Sequence, residues 1–306
     1  MTVARQRRSP TDPGLTLILG DTPLTTRIVT QMKGFAWAYH VDVKSYSDVA
    51  GLLEAMRPRL VVNAIEVDDV ALCESSPDVA ISANALGAAN VAMACRLYDA
   101  GLVQLSTDQV FGSSGPHKYT DEPYPQNSYG VSKMLGENAV HNILHDRAMV
   151  IRVGSLYGPE VENCQPYIAM TQGGLRANNG PEKAYIDHGS FVIPTYIGHV
   201  ASLVAETLNG WMLTAEDVRI PLWARQVIHI GPWEDPITWH DLLVNDFTVL
   251  PFQGQERLNK RRSTRYRSVS GLVPTEGWRT PGYREGLDAF IEEFREAQHS
   301  QAGTRA

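Results

Sequence analysis

Short apolar segments alternate with longer helical patterns along this chain. Each segment is bounded by polar or glycine residues, as the buried strands of a parallel sheet are. Strands that alternate with helices are typical of a doubly wound α/β fold, so the pattern predicts a parallel sheet covered by helices. The predicted strands are Leu15–Leu19, Leu60–Asn63, Leu102–Leu105, Met149–Val153 and Val227–Ile230.

A long helix is predicted between the second and third of these strands. Ser76 is a suitable N-cap, Pro77 fits the first turn, and Asp78 places a negative charge at the positive end of the helix dipole. The apolar pattern continues to about Ala100. After Val153 the pattern loosens into segments rich in Gly, Asn and Pro, which indicates loops and a smaller subdomain.

Composition narrows the function classes. The chain has 306 residues, a net charge of −7 and 43% hydrophobic residues, as a globular protein without general attraction to nucleic acid or anionic membranes has. The three cysteines lie far apart, so neither disulfides nor a structural metal site is expected. The basic N-terminus lacks a following apolar region, and a cytoplasmic location is therefore expected.

Tyr129 and Lys133 form the most informative polar pair in the sequence. Residues four apart share one face of a helix, so the phenol and the ammonium can point into one cleft. Thr107, at the end of a predicted strand, can supply a hydroxyl to the same cleft. A free tyrosine has a pKa of about 10, and an adjacent ammonium lowers it toward the working range. We therefore predict that these three residues transfer a proton to a bound carbonyl group.

The residues around this pair resemble one family. The segments STDQVF and YGVSKMLGE resemble the STDYVF and YGxSKxxGE motifs of extended short-chain dehydrogenase/reductases, and most of all those of the dTDP-4-dehydrorhamnose reductase family. The resemblance runs from about residue 15 to about residue 295. Further matching positions are Asn63-Ala64, Glu74, Arg152, Pro194-Thr195-Tyr196 and Thr238-Trp239-His240-Asp241.

The resemblance implies a reduction in which NADPH or NADH delivers hydride to C4 of a nucleotide-linked 4-keto-6-deoxy sugar. It implies that Tyr129 donates the proton, that Lys133 lowers the tyrosine pKa and holds a ribose, and that Thr107 orients the carbonyl. The implied cofactor-binding residues are Gly20, Thr22, Leu24, Asp42, Asn63, Ala64, Ser106 and Lys133. The implied substrate-binding residues are Asp108, Gln109, Val110, Tyr157, Thr195 and Trp239.

The predicted cofactor loop departs from the family pattern. Relatives carry G-x-x-G-x-x-G after the first strand, where the glycines allow a pyrophosphate to approach the backbone. Here only Gly20 is present, and Pro23 and Thr26 stand at the other two positions. Pro23 has no N–H to offer a phosphate, and Asp21 adds a negative charge. Thr26 is expected to add bulk against the first strand.

A second segment departs in the same direction. The family's NAAAYT appears here as Asn63–Asp68, so Glu66 and Asp68 enter the wall of the cofactor site. We therefore expect weaker dinucleotide binding than in relatives with three glycines.

Two functions stay open at this point. The intact proton-transfer residues favour a nucleotide-sugar 4-ketoreductase, and the altered cofactor segments favour a regulatory or nucleotide-sugar-binding protein on the same fold. Sugar 4,6-dehydratases resemble this region too, but they carry a Glu where this chain has Gln109. An amide cannot act as the base that removes a proton from carbon, so dehydratase chemistry is disfavoured.

The expected organisation is a Rossmann-like domain over residues 14–155, to which elements near 197–232 return. A smaller, interleaved substrate-binding subdomain is expected over 156–196 and 233–298, with flexible ends at 1–13 and 299–306. The expected partner is a nucleotide-diphosphate sugar, with no nucleic acid and no membrane. The chain is also expected to form a homodimer or a complex with a partner enzyme.

Overall fold

Six parallel strands form the central sheet in the computed structural model of the protein, which describes residues 15–32, 36–112, 115–161, 164, 185–187, 191–214, 227–244, 259–261 and 270–303. The strands are β1 (Thr16–Leu19), β2 (Ala36–Tyr39), β3 (Leu60–Asn63), β4 (Gly101–Thr107), β5 (Ala148–Val153) and, after the short strands below, β10 (Val227–Ile230). Their order is β10-β5-β4-β3-β1-β2. The predicted doubly wound parallel sheet is confirmed.

Helices cover both faces of this sheet. They are α1 (Pro23–Gln31), α2 (Tyr46–Met56), α3 (Val70–Ser75), α4 (Pro77–Ala80), α5 (Gly87–Leu97), α6 (Ser128–Leu144), α7 (Ile197–Thr214), α8 (Trp239–Val244) and α9 (Tyr283–Gly303). Neighbouring strand residues point to opposite faces, so Leu17 packs in the cluster beneath α2, α5 and α6, whereas Ile18 packs in the cluster beneath α1, α7 and α9. Burial on both faces explains why the strands read as continuous apolar segments.

The predicted helix over 76–100 is present with two differences. It runs from Pro77 to Leu97, and a π-helical segment, Ile81–Leu86, joins α4 to α5. Ser76 precedes the helix but makes no capping hydrogen bond through its side chain, which corrects that part of the prediction. The helix ends early because Asp99 takes a left-handed conformation (φ +57°) directly before β4.

Close contact with α6 accompanies the π-helical segment. A Cβ atom on Gly136 of α6 would lie 2.4 Å from the carbonyl oxygen of Asn84, so only glycine allows this approach. The Asn84 side chain also donates to Ser132 Oγ across the interface at 2.9 Å. By length and composition Pro77–Leu97 could cross a membrane, but half of it is buried within the protein. These contacts are those of a core helix.

A buried ion pair joins α6 to β5. The guanidinium of Arg152 donates to both carboxylate oxygens of Glu137, at 2.9 and 2.6 Å, and both side chains are almost completely buried. Glu137 lies four and eight residues after Lys133 and Tyr129, so all three share one face of α6. The pair therefore fixes the helix face that carries the predicted proton-transfer residues.

Elements after residue 155 pack partly on the main sheet. Helix α7 lies against α1, and short strand pairs form between β6 (Leu156–Tyr157) and β9 (Thr195–Tyr196) and between β8 (Phe191–Val192) and β11 (Ile237–Thr238). Strands β7 (Tyr185–Asp187) and β12 (Asn259–Arg261) pair in parallel. Much of 156–196 and 233–269 lies outside the described residues, and the division into two domains stays a prediction.

The C-terminal boundary differs from expectation. Helix α9 continues to Gly303, so residues 299–303, which were predicted to belong to a flexible end, are helical. Its first turns are anchored because Glu234 accepts a hydrogen bond from the Tyr283 N–H and Phe290 is fully buried against Tyr157. An amphipathic helix that is anchored at one end can extend beyond the residues that it buries.

Candidate active site

The candidate site lies where the strand order reverses. In sequence order the chain passes from β1 outward to β2, and then to β3 on the other side of β1. Ligands of open α/β sheets bind outside the carboxyl ends of the strands at such a point. The segments that leave β1, β3 and β4 there begin with Gly20, Ala64 and Asp108. The sequence-predicted residues therefore converge on one edge of the sheet.

Helix α6 begins in a tightly held position beside this edge. Asn127 is its N-cap and accepts a hydrogen bond from the Gly130 N–H at 2.7 Å, and Glu74 accepts from the Ser128 N–H at 2.5 Å. A Cβ atom on Gly130 would lie only 2.1 Å from the carbonyl oxygen of Gln109. Glycine is thus needed for α6 to start against the turn that follows β4, and this contact sets the position of Tyr129.

Thr107, Tyr129 and Lys133 form one buried cluster. Tyr129 is 5% exposed and Lys133 is 4% exposed. Lys133 Nζ donates to the carbonyl oxygen of Leu105 at 2.9 Å, and Thr107 lies close enough to the Tyr129 phenol to influence its pKa. The spatial arrangement predicted from the strand-end triplet and the i, i+4 pair is therefore present.

Glu66 is the fourth member of this cluster. Its Oε2 atom accepts a hydrogen bond from the Tyr129 hydroxyl at 2.9 Å and lies 2.7 Å from Lys133 Nζ. The Glu66 side chain is 28% exposed, so it links the buried pair to solvent. One carboxylate oxygen thus contacts both groups that were expected to meet a ligand.

The environment of Tyr129 corrects one electrostatic expectation. Burial, and then the Glu66 carboxylate, raise the pKa of Tyr129 well above its usual value, and the Thr107 hydrogen bond opposes this effect only in part. The expected lowering by Lys133 is absent because the ammonium is paired with Glu66, whose negative charge disfavours a phenolate. Tyr129 is a neutral phenol in this arrangement.

Asp108 and Gln109 continue from Thr107 in a 3₁₀ turn. Thr107 Oγ1 donates to Asp108 Oδ1 at 3.3 Å and accepts from the Gln109 N–H at 3.2 Å. Gln109 Oε1 in turn accepts from the Asn127 side chain at 2.8 Å. Burial raises the pKa of Asp108 to about 6, although hydrogen bonds from Thr107 and Ser270 oppose the rise. The Asp108 carboxyl is held at the edge of the cleft in an environment that disfavours its charge.

We expect Asp108→Asn to change how stability depends on pH. Because the folded-state pKa is raised from 3.8 to about 6, the native protein holds this proton more tightly than the unfolded chain does. Ionisation therefore costs stability as pH rises through this window, by about 3 kcal/mol in full. The free energy of unfolding of Asp108→Asn, minus that of the parent, should grow by this amount between about pH 4 and pH 7.

Urea unfolding at several pH values measures this difference. Glu122→Gln, which removes an exposed carboxyl nearby in the chain, is the control and should show no comparable growth. A constant difference for Asp108→Asn across the range would contradict the assigned burial cost.

The turn after β1 requires glycine at one position, Gly20. Gly20 has φ +118°, and a Cβ atom there would lie 3.1 Å from the backbone of Ala64. Thr22 then caps α1 in a reciprocal arrangement, in which the Thr22 N–H donates to Thr25 Oγ1 and the Thr25 N–H donates to Thr22 Oγ1. Pro23 occupies the first turn. The start of α1 therefore uses two of its backbone N–H groups internally and lacks a third.

The expectation for Thr26 is wrong. Thr26 is exposed on α1, whereas Thr25 is fully buried and donates to the carbonyl oxygen of Gly20 at 3.2 Å. Helix α1 begins at Pro23, and the residue that faces the strand is Thr25, two positions after Pro23, and not Thr26. Thr25 supplies the bulk that was assigned to Thr26.

The remaining predicted cofactor residues have different surroundings. Asn63 donates to Gln104 Oε1 at 2.8 Å and accepts from the Ile65 N–H, while Leu24 and Ala64 are buried in the core. Asp42 is exposed after β2 and accepts from the Lys44 N–H. Ser106 Oγ is buried without a hydrogen-bond partner in the described part of the chain. Of this group, Ser106 has an unused polar atom beside the cluster.

Four of the predicted substrate residues are buried. Tyr157 is fully buried, donates to the carbonyl oxygen of Tyr283, and meets Trp239 edge to face. Thr195 is 2% exposed and donates to the carbonyl oxygen of Ile193. Val110 packs in a separate cluster with Phe111. Contact of these residues with a substrate stays a prediction.

Asn84 is a residue of the site that the sequence reasoning missed. Its Oδ1 atom accepts from the Val67 N–H at 2.8 Å, and its Nδ2 donates to the Val67 carbonyl at 2.9 Å. It thereby holds the segment that carries Glu66. A polar residue in an apolar helix was the available signal. Within the described ranges, His, Cys, Asp and Glu form no group able to hold a metal ion.

Comparison with known proteins agrees with this geometry. The family model described as the RmlD substrate binding domain matches residues 22–250. The chain belongs to this family. The RmlD match begins at Thr22, the N-cap of α1, and includes the Glu66 segment and the whole of α6, so the site residues from β3, β4 and α6 lie inside it.

Individual relatives match shorter regions. This RmlD-family chain is 39% identical over 121 residues to dTDP-4-dehydrorhamnose reductase of Streptomyces griseus, covering 39% of this chain and 40% of that protein. It is 31% identical over 166 residues to methionine adenosyltransferase 2 subunit beta of Xenopus tropicalis, covering 54% of this chain and 48% of that protein. The matched region thus spans about half or less of each relative.

A solved structure extends the likeness to the whole fold. The dTDP-4-dehydrorhamnose reductase of Bacillus anthracis, solved in complex with NADP, superposes with a TM-score of 0.75 over 92% of this chain and 99% of that one. The identity is 22%, so this similarity establishes the fold of the RmlD-family chain.

Proposed function

We propose that this protein reduces the keto group of a nucleotide-linked 4-keto-6-deoxy sugar with NADPH or NADH as the hydride donor. The observation that carries the proposal is the buried cluster of Thr107, Tyr129 and Lys133 at the carboxyl edge of a parallel sheet. Family membership and relatives named as reductases support the same chemistry.

In this proposal the chain supplies the proton and the electrostatic environment. Tyr129 donates its phenolic proton to the carbonyl oxygen, and Thr107 holds the phenol in position. The Lys133 ammonium then stabilises the negative charge left on the phenol. Ser106 Oγ, which has no partner among the described residues, is a donor available to the ligand.

The fit to a nicotinamide dinucleotide differs between the two ends of the site. Ser106 and Lys133 offer donors at the reactive end, where the cofactor supplies a hydride to the sugar carbon. At the start of α1, Thr22 and Thr25 use each other's N–H groups and Pro23 has none, so fewer donors face a pyrophosphate. Asp42 and Asn63 are the further candidates to contact the nucleotide.

The substrate proposal rests on the family and on charge. With a net charge of −7, the chain has no general attraction for a nucleoside diphosphate, so recognition must come from local groups. Asp108 and Gln109, at the end of β4, are the described residues that we propose to face the sugar. We further propose that the protein acts in the cytoplasm and as a homodimer or with a partner enzyme.

A coupled spectroscopic assay tests the proposal. The full chain is mixed with NADPH or NADH and a dTDP-4-keto-6-deoxy sugar, and the loss of reduced nicotinamide absorbance is followed. We expect oxidation that requires the sugar and yields one alcohol per cofactor consumed. No oxidation with either cofactor would contradict the proposal and would favour the alternative, a regulatory or nucleotide-sugar-binding protein, which the reductase relatives otherwise disfavour.

A further inference from the structure

The Glu66 carboxylate holds the two groups on which reduction depends. Tyr129 has a single O–H, and the structure directs it to Glu66 Oε2 at 2.9 Å. Lys133 Nζ lies 2.7 Å from the same oxygen. A phenol that donates to Glu66 cannot donate to a substrate carbonyl at the same time. Ligand binding and this contact therefore exclude each other.

The segment that carries Glu66 is anchored to the helix that it blocks. Asn84 holds both backbone polar groups of Val67, at 2.8 and 2.9 Å, and Cys73 Sγ donates to the Val67 carbonyl. The Nδ2 atom of Asn84 also donates to Ser132 Oγ of α6 at 2.9 Å. The backbone beside Glu66 is thus fixed relative to Tyr129 and Lys133, so the contact is a property of the fold.

We propose that Glu66 is a self-inhibitory lock, in which its carboxylate occupies the hydrogen-bonding positions that a ligand needs on Tyr129 and Lys133. This inference rests on the proposed reductase function and adds its regulation. The lock opens by rotation of the Glu66 side chain toward solvent, for which its 28% exposure provides a path. The backbone held by Asn84 stays in place.

The chemistry of the contact identifies what can open the lock. A displacing ligand must accept hydrogen bonds from a phenol and from an ammonium at neighbouring positions. A sugar carbonyl satisfies the phenol, and the hydroxyl oxygens of a ribose satisfy the ammonium. Ligands that carry both groups into the site together compete best, so the lock should favour simultaneous occupancy by nucleotide cofactor and keto sugar.

The same contact opposes proton donation in the resting protein. The Tyr129 proton is directed to the Glu66 carboxylate and not to a carbonyl. The negative charge beside Tyr129 also raises its pKa, which makes it a weaker acid toward a carbonyl. Both effects oppose proton donation.

Glu66→Gln tests the lock. The amide keeps an acceptor for the buried Lys133 but removes the negative charge, so the fold is expected to survive, as circular dichroism and thermal melting will show. Glu54→Gln is the matched control, because it makes the same substitution at an exposed side chain on α2, outside the site. Calorimetry with NADPH and NADH measures binding by the parent and both variants, and the assay above measures turnover.

We expect Glu66→Gln to bind its preferred cofactor about tenfold more tightly than the parent, since a charge-assisted contact no longer competes. Glu54→Gln should stay within about threefold of the parent. Equal or weaker binding by Glu66→Gln, with the fold intact, would overturn the lock. Slower turnover of Glu66→Gln at saturating cofactor would overturn it too, because that result is expected of a relay.

The reductase proposal and the lock fail in different ways. Tighter cofactor binding by Glu66→Gln without sugar reduction by any variant supports the lock and overturns the proposed reaction. Turnover by the parent that Glu66→Gln does not improve supports the reaction and overturns the lock. If no variant binds cofactor, Glu66→Gln included, the lock is overturned as the cause of weak cofactor binding. The start of α1, which offers few N–H donors, is then the cause.

Discussion

Replacing Tyr129 with phenylalanine is expected to lower kcat for reduction of a dTDP-4-keto-6-deoxy sugar by about 10²- to 10⁴-fold, the usual cost of losing a positioned acid. The ring is 5% exposed and packs with Cys73 and Ala80, and phenylalanine preserves that packing. The substitution also removes the hydrogen bond to Glu66, so one of the two contacts of the lock is lost. Cofactor binding should therefore be kept or strengthened while turnover falls.

Steady-state kinetics and calorimetry on the same preparation separate these effects. Tyr124→Phe is the control, because Tyr124 lies five residues earlier and is 74% exposed. It should turn over like the parent. A Tyr129→Phe variant that also turned over like the parent would require another proton donor. Thr107, whose hydroxyl influences the pKa of the Tyr129 phenol, would become the first candidate.

The sheet could be predicted from sequence because each strand is buried on both faces. Burial of this kind leaves an uninterrupted apolar segment, and the five predicted strands match the structure to within two residues at each end. Strand β2 was expected before Asp42 but without bounds, since Trp37 and Tyr39 are half exposed at the sheet edge and give a weaker signal. The clustering of Thr107, Tyr129 and Lys133 was also predictable, from helical periodicity and the end of β4.

Side-chain pairing within the site was harder to predict. Glu66 was expected only as an unfavourable charge in the cofactor wall, because no local pattern relates it to Lys133, which lies 67 residues later. The loop that joins β3 to α3 and the Asn84 contacts bring them together, and both depend on the tertiary fold. The direction of the pKa shift of Tyr129 was misjudged for the same reason, because it depends on whether the charge of Lys133 is already paired with that of Glu66.

The roles of aromatic residues are a second difficulty for sequence reasoning. Tyr157 and Trp239 match family positions and have polar atoms, so a ligand-binding role was a reasonable expectation. The structure buries both beneath α9, where Tyr157 finds its hydrogen-bond partner on the backbone of Tyr283. A buried tyrosine needs a partner for its hydroxyl, and a backbone carbonyl serves as well as a ligand does. Sequence does not distinguish the two.

The buried ion pair between Arg152 and Glu137 holds α6 against β5 of the sheet. Arg152 also lies over the Phe111 ring at 4.9 Å, and its Nη1 atom is 3.5 Å from Nε2 of His229. Burial and the neighbouring guanidinium lower the pKa of His229 to about 3, so this ring is neutral near pH 7. Its Nδ1 atom donates to the His117 carbonyl, which leaves Nε2 as an acceptor for Arg152. Among the described residues, the guanidinium thus has one charged partner, Glu137.

We expect Glu137→Leu to lower the free energy of unfolding by about 3–5 kcal/mol, because it leaves the Arg152 charge buried without its counter-charge. Arg152→Met should cost a similar amount. The double variant should recover most of the loss, since two apolar side chains of similar size restore packing and no unpaired charge stays buried in the low-dielectric interior.

Urea unfolding of the parent, both single variants and the double variant gives the coupling free energy between the two residues. Additive losses in the double variant would mean that packing, and not charge pairing, makes this contact stable. Recovery of stability together with impaired sugar reduction would instead indicate that the ion pair sets the register in which α6 presents Tyr129 and Lys133 to the ligand.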